Sequence, residues 1–173
     1  MVSPRYVYSL ELSPSLYRKK RINLHTFVLT HYGRKDDGES QLAVSAQATF
    51  PAASEIFGVK LVNGHPTEAI ISFTNDEASP IGVNFVGGSL WTLDEEKSVN
   101  VRNLSATSYR VQLDPGQTES VSYSFATEMH PQDLRLLLTT ILSNEEGGVF
   151  PVAAYNGTIS IVEPETSVFD PQM

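Results

Sequence analysis

The chain contains no cysteine. That excludes disulfides, a thiolate nucleophile and any metal site built on sulfur ligands. It leaves an oxidising compartment open. No apolar run approaches the roughly eighteen residues that a membrane helix requires. The first dozen residues lack the basic start, apolar stretch and small-residue cleavage site of a secretory signal. Basic residues are also scarce: 12 Lys and Arg stand against 20 Asp and Glu, for a net charge of −8. Seven of those twelve lie within residues 1–35 beside a single acid, so the remaining chain is strongly acidic. Such a body repels phosphate backbones and argues against nucleic acid as a partner. There is one tryptophan, Trp91.

What is present is alternation. Val121, Tyr123 and Phe125 alternate with Ser122 and Ser124, a strand with one buried face. Asp114-Pro115-Gly116 before it is a turn. Val44, Ala46 and Ala48 alternate with Ser45, Gln47 and Thr49. The run Phe57 to Val62 ends at Asn63-Gly64, a tight-turn pair of the kind that closes hairpins. Ala69, Ile71 and Phe73 share a face, as do Ile81, Val83 and Phe85, with Gly82 and Gly87-Gly88 allowing a bulge. Leu90, Trp91 and Leu93 resume that face, and Trp91 is expected in the core between sheets, a ligand platform being the alternative. Val99 and Val101 alternate with Asn100 and Arg102, and Tyr109, Val111 and Leu113 with Arg110 and Gln112.

Leu134 to Leu142 is the most apolar run. Thr139, Thr140 and Ile141 favour a strand there. Leu136-Leu137-Leu138 is expected to be a core strand, or else to present a hydrophobic face. Residues 149–163 form one long strand or two, pairing with the leucine run. Eight or nine strands with closely spaced turns and no helical period predict an all-β, immunoglobulin-like or fibronectin-like antiparallel sandwich without disulfide. The expected organisation is an arm over 1–40, the sandwich over 41–164 and a linker over 165–173.

The residues carry little catalytic chemistry. His25 and His31 fall in the arm. His65 and His130 each precede a proline in a loop, without an acid at ligand spacing. Ser89 lacks a positioned base. Asp94-Glu95-Glu96 and Glu145-Glu146 lack the alternating oxygen ligands of a calcium loop. No cofactor, no metal and no enzymatic activity are expected. Arg18-Lys19-Lys20-Arg21 is a short basic cluster of low specificity, the only feature through which a nucleic-acid or genome-maintenance role would act. Two triplets have mechanistic content: Asn103-Leu104-Ser105 and Asn156-Gly157-Thr158 are N-glycosylation sequons, or ordinary turn asparagines with a hydroxyl neighbour.

From Ala43 onward the chain resembles the lumenal domain of the translocon-associated protein alpha subunit, also called the signal sequence receptor alpha subunit. The resemblance rests on FGVKLVNG (57–64), ISFTN (71–75), NFVGGSL (84–90), LDPGQ (113–117), YSF (123–125), YNGT (155–158) and FDPQ (169–172), in order and at similar spacing. It is nearest to the fungal "increased recombination centers" branch. The resemblance implies a non-catalytic β-sandwich in the lumen of the endoplasmic reticulum, glycosylated at Asn103 and Asn156. It also implies a signal peptide before the sandwich and a single membrane helix after it. Its expected partners are proteins: the protein-conducting channel or nascent secretory chains. Residues 1–40 depart from the expected signal peptide, and FDPQ stands where the family's chain enters the membrane. The alternative function is a soluble ligand-binding or adhesion sandwich, which an exposed apolar patch near Trp91 would favour.

Overall fold

The computed structural model describes residues 42–55 and 58–165. The arm, its basic cluster, His25, His31 and the segment 166–173 lie outside them. Ten strands are present among the described residues: β1 (Val44–Thr49), β2 (Ser54–Glu55), β3 (Gly58–Val62), β4 (Pro66–Asn75), β5 (Ile81–Trp91), β6 (Asn100–Asn103), β7 (Thr107–Leu113), β8 (Thr118–Ala126), β9 (Gln132–Asn144) and β10 (Val149–Val162). They make two sheets, as the alternation requires. The smaller has the order β1-β4-β8. The larger runs β2-β3-β10-β9-β5-β6, with β7 continuing beside β5 on the same flank as β6. These pairings are antiparallel except that of β3 with β10.

The core lies between the sheets. Ala69, Ile71 and Phe73 of β4 face Leu134, Leu136, Leu138 and Leu142 of β9, all almost wholly buried. Val121, Tyr123 and Phe125 of β8 complete the smaller sheet's inner face, and the Tyr123 and Phe125 rings stack at 5.5 Å. Burying a Leu, Ile or Phe side chain contributes about 2 kcal/mol each, so this face is what holds the two layers together.

The tight turns do something other than close hairpins. Asn63-Gly64 follows β3 in the larger sheet and leads to β4 in the smaller one. Gly64 takes a left-handed backbone, φ 72°. The turn is fixed by its contacts with other strands: Asn63 N–H donates to the Val162 carbonyl and Gly64 N–H to that of Thr127. The turn at 114–117 likewise carries the chain from β7 across to β8, with Gly116 at φ 76°.

Two expected faces are broken by one irregularity. The register slips between Val83 and Phe85 against both neighbours of β5. Phe85 therefore turns outward to pair with Ile141, and Val86 takes its place in the core at 0 % exposure. The same phase puts Leu90 inside and Trp91 outside. Trp91 is thus a half-buried residue of the outer face and not a core residue between sheets.

Candidate functional site

Both sequon asparagines are exposed, and both stand on the outer face of the larger sheet. Their placement follows from register. Asn103 of β6 pairs with Ser89 of β5, Ser89 with Leu137 of β9, and Leu137 with Asn156 of β10. Direct cross-strand partners point to the same side, so these four side chains form one straight row. Three strand spacings separate the two asparagines by about 14 Å. Asn103 ends β6, where Leu104 tucks inward and passes its N–H to the Gly88 carbonyl. Its Oδ1 accepts from Asn100 Nδ2 at 2.9 Å, which leaves its own Nδ2 available. Trp91 lies one row further along; its indole Nε1 donates to Ser89 Oγ at 2.8 Å, folding the ring back over the sequon row.

The connection between β5 and β6 is a hairpin with apolar tips. Leu93, Val99 and Val101 are 47 %, 58 % and 41 % exposed. Their alternation does not mark a buried face, because β6 is a short edge strand with no sheet packed over it. The hairpin is nonetheless braced. Thr92 N–H donates to the Val99 carbonyl, and Asp94 Oδ1 accepts from the Glu96 and Lys97 N–H groups. Arg135 reaches Ser98 Oγ at 2.7 Å, and Arg102 ties β6 to the Glu128 carbonyl beyond β8. Register also places this hairpin at the end of the sandwich where β10 finishes, since Trp91 pairs with Arg135 and Gln132 with Ile161.

The outer face of the smaller sheet is different in kind. Its side chains are Ser45, Gln47 and Thr49, then Glu68, Ile70, Ser72 and Thr74, then the hydroxyls of β8. Ser72 bonds Ser120 at 2.9 Å, Thr74 bonds Thr118 at 3.1 Å, and Ser122 donates to Glu68. The free edge of β8 is guarded: Tyr109 of β7 donates its hydroxyl to the Ser122 carbonyl. A capped edge is a poor template for strand addition.

Among the described residues, no three His, Cys, Asp or Glu converge as metal ligands. His65 and His130 are both exposed in loops, and Ser89 is taken up by Trp91. A shallow pocket between β1 and β10 is lined by Phe50, Pro51, Val59 and Tyr155. Phe50 meets the Tyr155 ring edge-on at 4.9 Å, and burial pushes the Tyr155 phenol pKa up, away from any use as a base near neutrality.

Residues 43–173 match the family model of the translocon-associated protein (TRAP), alpha subunit. The chain belongs to that family. The match covers the whole sandwich, from β1 through β10. No curated protein sequence matches. Among solved structures, the sporulation control protein Spo0M of Bacillus subtilis is similar at 10 % identity and TM-score 0.47, over 70 % of this chain and 50 % of its own. This chain thus spans half the length of Spo0M. A PapD-like domain of human CEP192 is similar at 12 % identity and TM-score 0.45, over 81 % and 99 %. A Niemann-Pick type C2 protein of the Japanese carpenter ant follows at 11 % and 0.43, over 68 % and 89 %. Likeness at this distance carries nothing about function. As a TRAP alpha family domain, the sandwich is an all-β scaffold with two unlike outer faces. No helix among the described residues is long and apolar enough to cross a membrane.

Proposed function

We propose that this chain is a non-catalytic protein-interaction domain of the endoplasmic reticulum lumen. It serves as the lumenal part of a single-pass alpha subunit that assists translocation or retention beside the protein-conducting channel. Within the family it belongs to the fungal branch, on the ordered stretches from 57–64 to 169–172. Asn103 and Asn156 carry N-glycans, and no cofactor is needed. The observation that carries this reading is the family match spanning the whole sandwich. The exposed positions of both sequon asparagines support it.

The partner contact in this reading is the braced hairpin that shows Leu93, Val99 and Val101. Exposed apolar side chains held on a rigid support bind at little entropic cost. In this reading a membrane anchor follows β10, and the hairpin, at the end of the sandwich where β10 finishes, meets the channel. The test uses the full gene product in its own cells. Glycosidase treatment should remove mass from both asparagines, and cross-linking should capture channel subunits. Val99→Glu with Val101→Glu should abolish the cross-links and leave glycosylation intact. An unglycosylated, cytosolic protein would refute the localisation.

The same hairpin beside Trp91 favours a second reading, a soluble ligand-binding or adhesion module. Secretion of the mature chain without membrane association would select it. A genome-maintenance role would be indirect, and the basic cluster at 18–21 lies outside the described residues.

A further inference from the structure

We propose that Trp91 is the platform on which the first sugar of the Asn103 glycan rests. This inference rests on the reading that Asn103 is glycosylated. It adds a binding role for a residue that the fold does not need in its core.

The geometry is specific. The indole is anchored by its own N–H to Ser89 Oγ at 2.8 Å, so the ring lies back along β5 and not out into solvent. Ser89 is the direct cross-strand partner of Asn103. Side chains so paired stand about 5 Å apart at Cβ, and an indole spans that distance. The Asn103 carboxamide is oriented as well: its Oδ1 is held by Asn100 Nδ2, which directs its Nδ2 away from Asn100. The cross-strand partners of Trp91, Asn100 and Arg135, do not compete for the ring's place over Ser89: Asn100 is engaged with Asn103 Oδ1. Arg135 reaches to Ser98 in the hairpin.

An N-acetylglucosamine joined at Nδ2 has one face made of axial C–H groups. Such a face is drawn to the electron-rich face of an aromatic ring and covers apolar area that water otherwise wets. Trp91 is half-buried, so part of the indole remains to be covered. Among the described residues, the cross-strand partner of Asn156 is Leu137 and the next residue along β10 on that side is Thr158, neither of them aromatic. The two sequons therefore differ, and only the Asn103 sugar is held against the sheet.

Trp91 is the only tryptophan, so its fluorescence reports this site alone. The glycosylated full chain is trimmed with an endoglycosidase that leaves one N-acetylglucosamine on each asparagine. It is compared with Ser105→Ala, which loses the sequon hydroxyl but keeps Asn103 and the Ser105 carbonyl. Acrylamide should quench Trp91 in the trimmed protein about twofold less than in Ser105→Ala. The methyl and ring protons of that sugar should shift upfield by ring current, and the shift should vanish in Trp91→Leu. Removing the Asn156 glycan through Thr158→Ala should change neither signal. A glycan present at Asn103 with equal quenching in both proteins overturns the platform alone. No glycan mass at Asn103 overturns the glycosylation reading and this inference with it.

Discussion

Two buried asparagines bracket β4 and close the two ends of the sandwich. Asn75 is wholly buried and uses every polar atom. Its Nδ2 donates to the carbonyls of Ser79 and Leu113, and its Oδ1 accepts from the Glu77 N–H. Its backbone pairs with Gln117 and Gly116 in the turn before β8. Asn75→Ala should therefore strand several buried backbone groups and cost about 3 kcal/mol, read as a lower urea midpoint. Asn63 does the same work at the other end, joining Met129 and Glu163. In the sequence both asparagines are indistinguishable from ordinary turn residues. Their partners lie as far as 100 positions away.

Tyr123 is the residue whose ionisation should matter most. Burial, and secondarily the charge of Tyr109, pushes its phenol pKa well above the ordinary value of 10.0. Its hydroxyl donates to the Ser105 carbonyl. The folded state thus keeps a proton that the unfolded state releases. Stability from this group is complete below pH 10 and declines as pH rises above it. Tyr123→Phe should flatten the alkaline limb of a stability-against-pH curve. It should also cost about 1 kcal/mol at neutral pH by removing the donor to Ser105.

At the scale of elements, β5 decides which side chains face where. Its bulge moves Phe85 out and Val86 in, and its glycines let neighbours approach. A Cβ on Gly88 would meet Leu138 Cδ2 at 2.8 Å and Leu104 Cδ1 at 2.9 Å. Gly88→Ala should thus push Leu104 outward, loosen the step between β6 and β7, and lower stability by about 2 kcal/mol in thermal unfolding. The glycines at 82 and 87–88 signal a bulge in the sequence. Where it falls is not written there, because a one-residue slip is chosen by the best fit of two whole strands to β5. For that reason alternation alone puts Trp91 on the wrong face. β9 is easier to read: Leu134, Leu136, Leu138 and Leu142 keep one phase to the core, and Leu137 takes the outer face.

For the whole molecule, the two outer faces divide the surface. The larger sheet carries both sequons in one row. The smaller sheet carries a hydroxyl lattice joined to the Glu68 carboxylate. Ser122→Asn would create a new sequon there, completed by Tyr123 and the hydroxyl of Ser124. If the hairpin is the partner contact, a glycan added on that second face should leave cross-linking to the channel unchanged, whereas Val99→Glu with Val101→Glu should abolish it. Loss of cross-linking in Ser122→Asn alone would move the contact to the smaller sheet.

Alternation along the chain by itself determined that the protein is all-β, that two layers face each other and which alternate residues of β4, β8 and β9 face inward. Those properties depend on each residue's neighbours two positions away, which the sequence displays directly. Tertiary structure alone decided that Asn63-Gly64 and the 114–117 turn are corners between sheets, that Trp91 lies outside, and that Asn103 and Asn156 share a row. Each depends on register between strands distant in sequence, and register is set by packing across the core and not by any local preference.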